Sequence, residues 1–247
     1  MKYFIYSFFA YSFVAYSQQL SNNYGAPSWS PDGNQIAYVL NDSNNSNLYI
    51  FNLKNKSTIQ ITNSESSELT PAWSPDGKKI AFVSNRSGHL EIYNYTIKTK
   101  QIEKLTNFEE DVVTPSWLPD SKAIIYILFD RKKKSRKIWM SKLDGSASKI
   151  KMDQTSNYIY PRISPDGEVM IFASKNNNTD DYYHIKAYDL IRDKINEIEM
   201  LPIVSYNPSW FPNGEKIVFV NQANSEVKRA SIYIGNRDGS NLKKLLG

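Results

Sequence analysis

The chain predicts an all-β fold, a β-propeller of four-stranded antiparallel blades. Three observations carry this: a motif recurring five times, a near-constant spacing between copies, and room for four short strands in each copy. The copies read PSWSPDGNQIAYV from Pro27, PAWSPDGKKIAFV from Pro71, PSWLPDSKAIIYI from Pro115, PRISPDGEVMIFA from Pro161 and PSWFPNGEKIVFV from Pro208. Their starts lie 44 to 47 residues apart. Self-similarity at that period marks one supersecondary unit stacked on copies of itself.

A second landmark divides each unit. It is the apolar residue Leu48, Ile92, Ile138, Ile185 or Ile232, followed by an aromatic in every copy except the fourth, where Lys186 stands. From proline to landmark the steps are 21, 21, 23, 24 and 24; from landmark to the next proline each step is 23. One half of the unit is therefore constant in length, and all variation sits in the other.

Before the repeats, Lys2 supplies a single positive charge and Tyr3 to Tyr16 is apolar and aromatic without charge. Ala15 and Ser17 place small residues where a signal peptidase needs them, so 1–17 reads as a signal peptide cleaved before Gln18. That stretch is too short for an ordinary membrane span. The reading is a periplasmic or secreted protein, with no stable span after cleavage and one domain over 18–247. Its repeats cover about 24–61, 68–106, 112–152, 158–199 and 205–247. With no cysteine, the chain has no disulfide, thiolate metal site or lipid-bearing cysteine. The formal net charge of +5 is mild for 247 residues, and no broad basic surface argues for nucleic acid.

The second unit shows how one repeat folds. Pro71 to Ser74 is a short strand A carrying Trp73. Ser74-Pro75-Asp76-Gly77 is turn chemistry, since proline presets φ and glycine accepts positive φ. Lys78 to Ser84 is strand B, with Ile80 and Phe82 on one face and Ala81 and Val83 on the other. Asn85 to Gly88 is a second turn, Leu90 to Tyr95 strand C, and Gln101 to Leu105 strand D. A sheet apolar on both faces needs cover on both sides, which neighbouring blades supply. The tryptophans at 29, 73, 117 and 210, replaced by Ile163 in the fourth unit, read as packing between blades.

The pattern P-x-W-S-P-D-G-x-x-I-A-F, then S-G-x-x-x-I-Y, then L-T resembles the propeller repeat of the TolB family. It is fullest at Trp73 to Gly77, Ser87-Gly88, Ile92-Tyr93 and Leu105-Thr106. The resemblance implies a periplasmic, protein-binding propeller. It departs in two ways. The family carries a separate α/β domain ahead of its propeller, and its propeller has six blades. Here five units are counted. The 15 residues after Ile232 and the nine of 18–26 make a step of 25 to Pro27, close to the internal 23. Five blades closing on themselves are therefore expected, with an open or six-bladed relative as the alternative.

Because the strands alternate direction, the B–C loops and D–A connections share one face, and the tight A–B and C–D turns share the other. The first face carries all the length variation, where functional differences concentrate. Its charged residues are Glu65, Glu68, Glu109, Glu110 and Asp111 on D–A connections, and Lys132, Lys133, Lys134 and Arg136 on one basic finger. These form the candidate partner-binding face. The aspartates Asp32, Asp76, Asp120 and Asp166 read as turn formers.

Catalytic patterns are absent. There is no G-x-S-x-G elbow or H-E-x-x-H motif, and the two histidines, His89 and His184, read as surface or sheet residues. The reading is a non-catalytic interaction module without cofactor; acids rimming the channel would suit a cation such as calcium. The alternative is a glycan- or polyanion-binding propeller, with paired carboxylates serving glycoside hydrolysis.

Overall fold

A computed structural model describes residues 24–41, 45–144, 146–150, 156–176, 182–192, 194–197, 205–221 and 230–246. The expected signal peptide lies outside the described residues, as do 42–44 and 177–181 of the first and fourth B–C loops. Among the described residues there are twenty strands and no α-helix. Blade 1 holds β1 (Tyr24–Trp29), β2 (Gln35–Asn41), β3 (Ser46–Asn52) and β4 (Thr58–Gln60). Blade 2 holds β5 (Glu68–Trp73), β6 (Lys79–Ser84), β7 (Glu91–Thr96) and β8 (Gln101–Lys104). Blade 3 holds β9 (Asp111–Trp117), β10 (Ala123–Asp130), β11 (Ser135–Lys142) and β12 (Ala147–Lys149). Blade 4 holds β13 (Ser156–Ile163), β14 (Val169–Asn176), β15 (His184–Asp189) and β16 (Lys194–Glu197). Blade 5 holds β17 (Ser205–Trp210), β18 (Lys216–Asn221), β19 (Ser231–Asn236) and β20 (Lys243–Leu246). Each blade is an antiparallel meander in sequence order. This is the five-bladed, four-stranded propeller that the repeats predict.

The proline-started motif does three local jobs. In blade 1, Gly33 N–H donates to the Ser30 carbonyl at 2.9 Å. Ser30 Oγ donates to the Asp32 carboxylate at 2.6 Å and accepts from Gln35 N–H at 2.9 Å. Blade 2 repeats this through Ser74, Asp76 and Lys79 at 2.7 and 2.9 Å. The hydrogen bond from Ser30, followed by those from Asn34, holds the Asp32 carboxyl down at about 2. The turn-former reading of these aspartates fits that geometry.

Ahead of the turn, strand A holds a feature the sequence reading did not identify. The residue before each motif proline adopts positive φ: Ala26 at 48°, Thr70 at 42°, Thr114 at 55°, Tyr160 at 53° and Asn207 at 54°. The A–B register shifts at the same place in all five blades. Each innermost strand thus carries a bulge, and a bulge on an edge strand accommodates a proline without breaking the ladder. Strands β1, β5, β9, β13 and β17 pack successively against one another and so lie nearest the axis. By contrast, β4, β8 and β20 are largely exposed at the rim.

The core is a series of blade-to-blade layers. Ile80, Phe82 and Trp73 of blade 2 pack on Ala37, Leu48 and Ile50 of blade 1. Ala81, Val83 and Ile92 on the opposite face meet Val112, Trp117, Ile124 and Tyr126 of blade 3. The same layering joins blade 3 to blade 4 and blade 4 to blade 5. Two indoles also reach back. Trp117 Nε1 donates to the Ala72 carbonyl at 2.9 Å, and Trp210 Nε1 to that of Arg162 at 3.1 Å.

No such layer joins blade 5 to blade 1 among the described residues. Trp29 is 58% exposed, while Trp73 and Trp117 are 8% and 7% exposed. Ile36 and Tyr38 are half-buried where their counterparts Ile80 and Phe82 are fully buried. Across the seam, Val218, Val220 and Ile234 are half-buried and Ile232 is exposed. A Cβ added at Gly77 would meet Pro31 of blade 1 at 3.3 Å, and one at Gly214 would meet Pro165 of blade 4 at 3.3 Å; at Gly33 it would meet nothing within 4 Å. Among the described residues, blades 5 and 1 therefore do not pack as the other neighbours do; residues 18–23, on which the expected closure of the ring draws, lie outside them.

Candidate functional site

The B–C and D–A face divides into two sectors of different chemistry. In blades 2 and 3 the acids that open strand A are buried and already paired. Glu68 is fully buried, and its Oε1 accepts from Arg86 Nη2 at 2.7 Å. The Arg86 guanidinium also lies over the Tyr93 ring at 4.8 Å. Asp111 is buried, accepts from Leu90 N–H at 3.2 Å and is paired with Arg131. These two candidate contacts are therefore corrected to internal braces: a carboxylate at the first residue of strand A sits inside the D–A corner, where burial demands a partner. Glu65 and Glu109 are exposed and Glu110 half-buried, so they remain on the accessible face.

Glu91 was missed by the sequence reading. It is fully buried at the start of β7, with Lys104 Nζ at 3.2 Å and His89 Nε2 at 3.4 Å. It accepts from Phe108 N–H at 2.8 Å and from the Thr106 hydroxyl. Thr106 Oγ1 in turn accepts from Ile92 N–H at 2.9 Å. In blade 1, Asn47 and Thr62 make the corresponding contacts at 3.2 and 2.9 Å. The Leu-Thr signature is thus a clasp between strands C and D. The signal available in sequence was the polar residue just before the apolar landmark. His89 lies beside this clasp, in keeping with a structural histidine.

The basic finger is a tight hairpin tip. Asp130 Oδ1 accepts from Lys132 N–H and Lys133 N–H, both at 2.9 Å, and Lys134 takes φ 51°. Lys132, Lys133 and Lys134 are exposed. Arg136 is not at the tip. Its N–H donates to Asn157 Oδ1 at 2.7 Å, tying β11 to β13, and its guanidinium lies over Phe129 at 4.5 Å.

Arg136 belongs to a second, cationic and tyrosine-rich sector spread over blades 3 to 5. Tyr183 lies within electrostatic reach of it, and Lys175 Nζ lies over the Tyr183 ring at 5.7 Å. Ser205 N–H donates to the Tyr183 carbonyl at 3.0 Å, joining that tyrosine to blade 5. Tyr160 lies within electrostatic reach of Arg162, Tyr206, Tyr183 and Arg136, and burial pushes its phenol upward. Burial likewise pushes the Arg162 guanidinium downward. Thr70 and Thr114, at the same bulge position as Tyr160, hold buried hydroxyls without a hydrogen-bond partner. Among the described residues, no three acidic, histidine or cysteine side chains converge as a metal cage, and no helix is long and apolar enough to cross a membrane.

The structure resembles TolB from Acinetobacter baumannii, with 25% identity and a TM-score of 0.75 over 92% of this chain and 55% of that one. The chain therefore spans about half the length of that protein. It also resembles a putative TolB from Agrobacterium tumefaciens at 22% identity and TM-score 0.73, covering 90% and 79% of the two chains. A puromycin-hydrolyzing peptidase from Mycobacterium tuberculosis shares the fold at 13% identity and TM-score 0.72, covering 90% of this chain and 38% of the peptidase. No curated protein sequence matches. Residues 13–200 and 101–246 match the TolB beta propeller domain, and the chain belongs to that family.

Proposed function

We propose that this chain is an exported, non-catalytic propeller that binds a protein partner in the cell envelope through its B–C and D–A face. One observation carries the reading. Buried pairs such as Glu68 with Arg86 brace this face from within, while Lys132, Lys133, Lys134, Glu65 and Glu109 stay exposed on it. A braced backbone presenting exposed charges of both signs suits recognition, because little ordering entropy is lost on binding. The buried acids Glu68, Glu91 and Asp111 each face a cation, which leaves none of them standing as a free acid–base pair. The likeness to TolB structures supports an envelope location, as does the signal-like segment 1–17.

The test is capture from an envelope extract with three baits: wild type, the triple change Lys132→Glu, Lys133→Glu, Lys134→Glu, and the triple change Glu65→Lys, Glu109→Lys, Glu110→Lys. Loss of a captured protein with either triple change is expected. Identical capture by all three baits refutes the face. Turnover of any member of a glycan panel refutes the non-catalytic reading.

A further inference from the structure

Arg162 is the unusual residue of the innermost strands. The same position in the other blades holds Ser28, Ala72, Ser116 and Ser209, all small. Arg162 is half-buried. Among the described residues its side chain makes one hydrogen bond, from Nη1 to the Pro161 carbonyl at 2.9 Å. A guanidinium has five N–H donors, and no carboxylate among the described residues pairs with this one. Removing a cation from water without a counter-ion is costly, and in blades 2 and 3 the buried acids each have a cationic partner. The unmatched charge on blade 4 is the exception.

The surroundings of Arg162 are arranged as a path. Arg136 and Lys175 stand at strand ends beside the B–C loops. Tyr183, Tyr206 and Tyr160 are half-buried beyond them, and Arg162 lies deeper along β13. From Asn157, which holds Arg136, to Arg162 is roughly 13 Å, because across the bulge the two pair with Lys175 and Ile171 of β14, four residues apart at about 3.3 Å per residue. One small anion does not span that length. An extended polypeptide does, because the stagger is that of a strand and its side chains return to one side every two residues. Arginine forks grip carboxylates two bonds at a time, and tyrosine hydroxyls add neutral donors between them.

We infer that this sector, built from Arg162, Arg136, Lys175, Tyr160, Tyr183 and Tyr206, is a binding site for an extended acidic peptide, with Arg162 taking a carboxylate at its inner end. The inference rests on the proposed protein-binding face and names the chemistry of the segment it receives.

Fluorescence anisotropy with labelled hexaglutamate against the full chain tests this, with labelled hexaglutamine and oligogalacturonate as comparison probes. Hexaglutamate binds and hexaglutamine does not. Arg162→Ser, which installs the residue of blades 1, 3 and 5, weakens binding about tenfold or more. Arg162→Lys keeps the charge but loses the fork, and weakens it also. Tyr206→Phe weakens it by a smaller factor while leaving the packing. Thermal melts establish that each variant is folded; if Arg162→Ser is not, Arg162→Lys and Tyr206→Phe decide. Equal binding of both peptides, or folded Arg162 variants that bind hexaglutamate like wild type, overturns the site. Preference for oligogalacturonate overturns its assignment to a peptide. Partner capture that depends on Lys132 to Lys134, together with no hexaglutamate binding, defeats this inference and leaves the interaction face standing.

Discussion

Trp29 and Trp117 occupy the same motif position, and truncating each to alanine should have very different consequences. A tryptophan buries on the order of 200 Å², worth roughly 5 kcal/mol at about 25 cal/mol per Å². Trp117 is 7% exposed, so nearly all of that is lost on truncation, and a cavity opens between blades 2 and 3. Its indole bond to the Ala72 carbonyl goes too. Trp117→Ala should therefore cost about 3–5 kcal/mol. Trp29 is 58% exposed; less than half its surface is at stake, and nothing packs behind it to leave a void. Trp29→Ala should cost about 1–2 kcal/mol, with extended-chain areas setting the upper end. Urea unfolding measures both. At about 2–4 °C per kcal/mol for a chain of this size, the melting temperature should drop by roughly 6–20 °C for Trp117 and by about 2–8 °C for Trp29. Equal losses would mean that Trp29 is covered in solution, and the reasoning about the open seam would fail.

Glycine substitutions probe the same seam. Gly33→Ala should cost about 1 kcal/mol for its left-handed backbone alone, while Gly77→Ala, at the same conformation, should cost more because Pro31 lies 3.3 Å from the new Cβ; equal costs in urea unfolding would contradict this. Glu68→Ala should destabilise by about 2 kcal/mol, since it strands Arg86, whereas Glu65→Ala should stay within about 0.5 kcal/mol. The hydrogen bond from Arg237, ahead of the other contacts, holds Asp166 down at about 2 from 3.8. A depressed carboxylate stabilises the fold above its unfolded value, so this contribution is complete above about pH 4 and lost as pH falls toward 2. Arg237→Ala should remove its largest part, leaving the bonds from Ser164 and Glu168, and move the Asp166 carbon-13 titration midpoint upward.

Much of the fold was legible because a repeat states it five times. Ser74-Pro75-Asp76-Gly77 names its turn, and the alternation in Lys79 to Ser84 names both packing faces, as the separation of Ile80 and Phe82 from Ala81 and Val83 bears out. The site was legible only in outline. Lys132 to Lys134 are exposed as expected, but Glu68 and Asp111 turned inward, and Glu91 went unnoticed. Charge in a D–A connection reads the same in sequence whether it faces water or an arginine from another strand.

Local and repeated features can be read from the amino acids alone: strand identity, turn chemistry, blade size and blade number, all carried by a unit of about 45 residues. Whatever depends on blades meeting is settled by packing. The left-handed bulge before each motif proline, the buried ion pairs, the unpaired Arg162 among tyrosines and the open seam at Trp29 all follow from which surfaces come together. A spacing constrains how far the chain reaches; burial and partnership are properties of the packed arrangement.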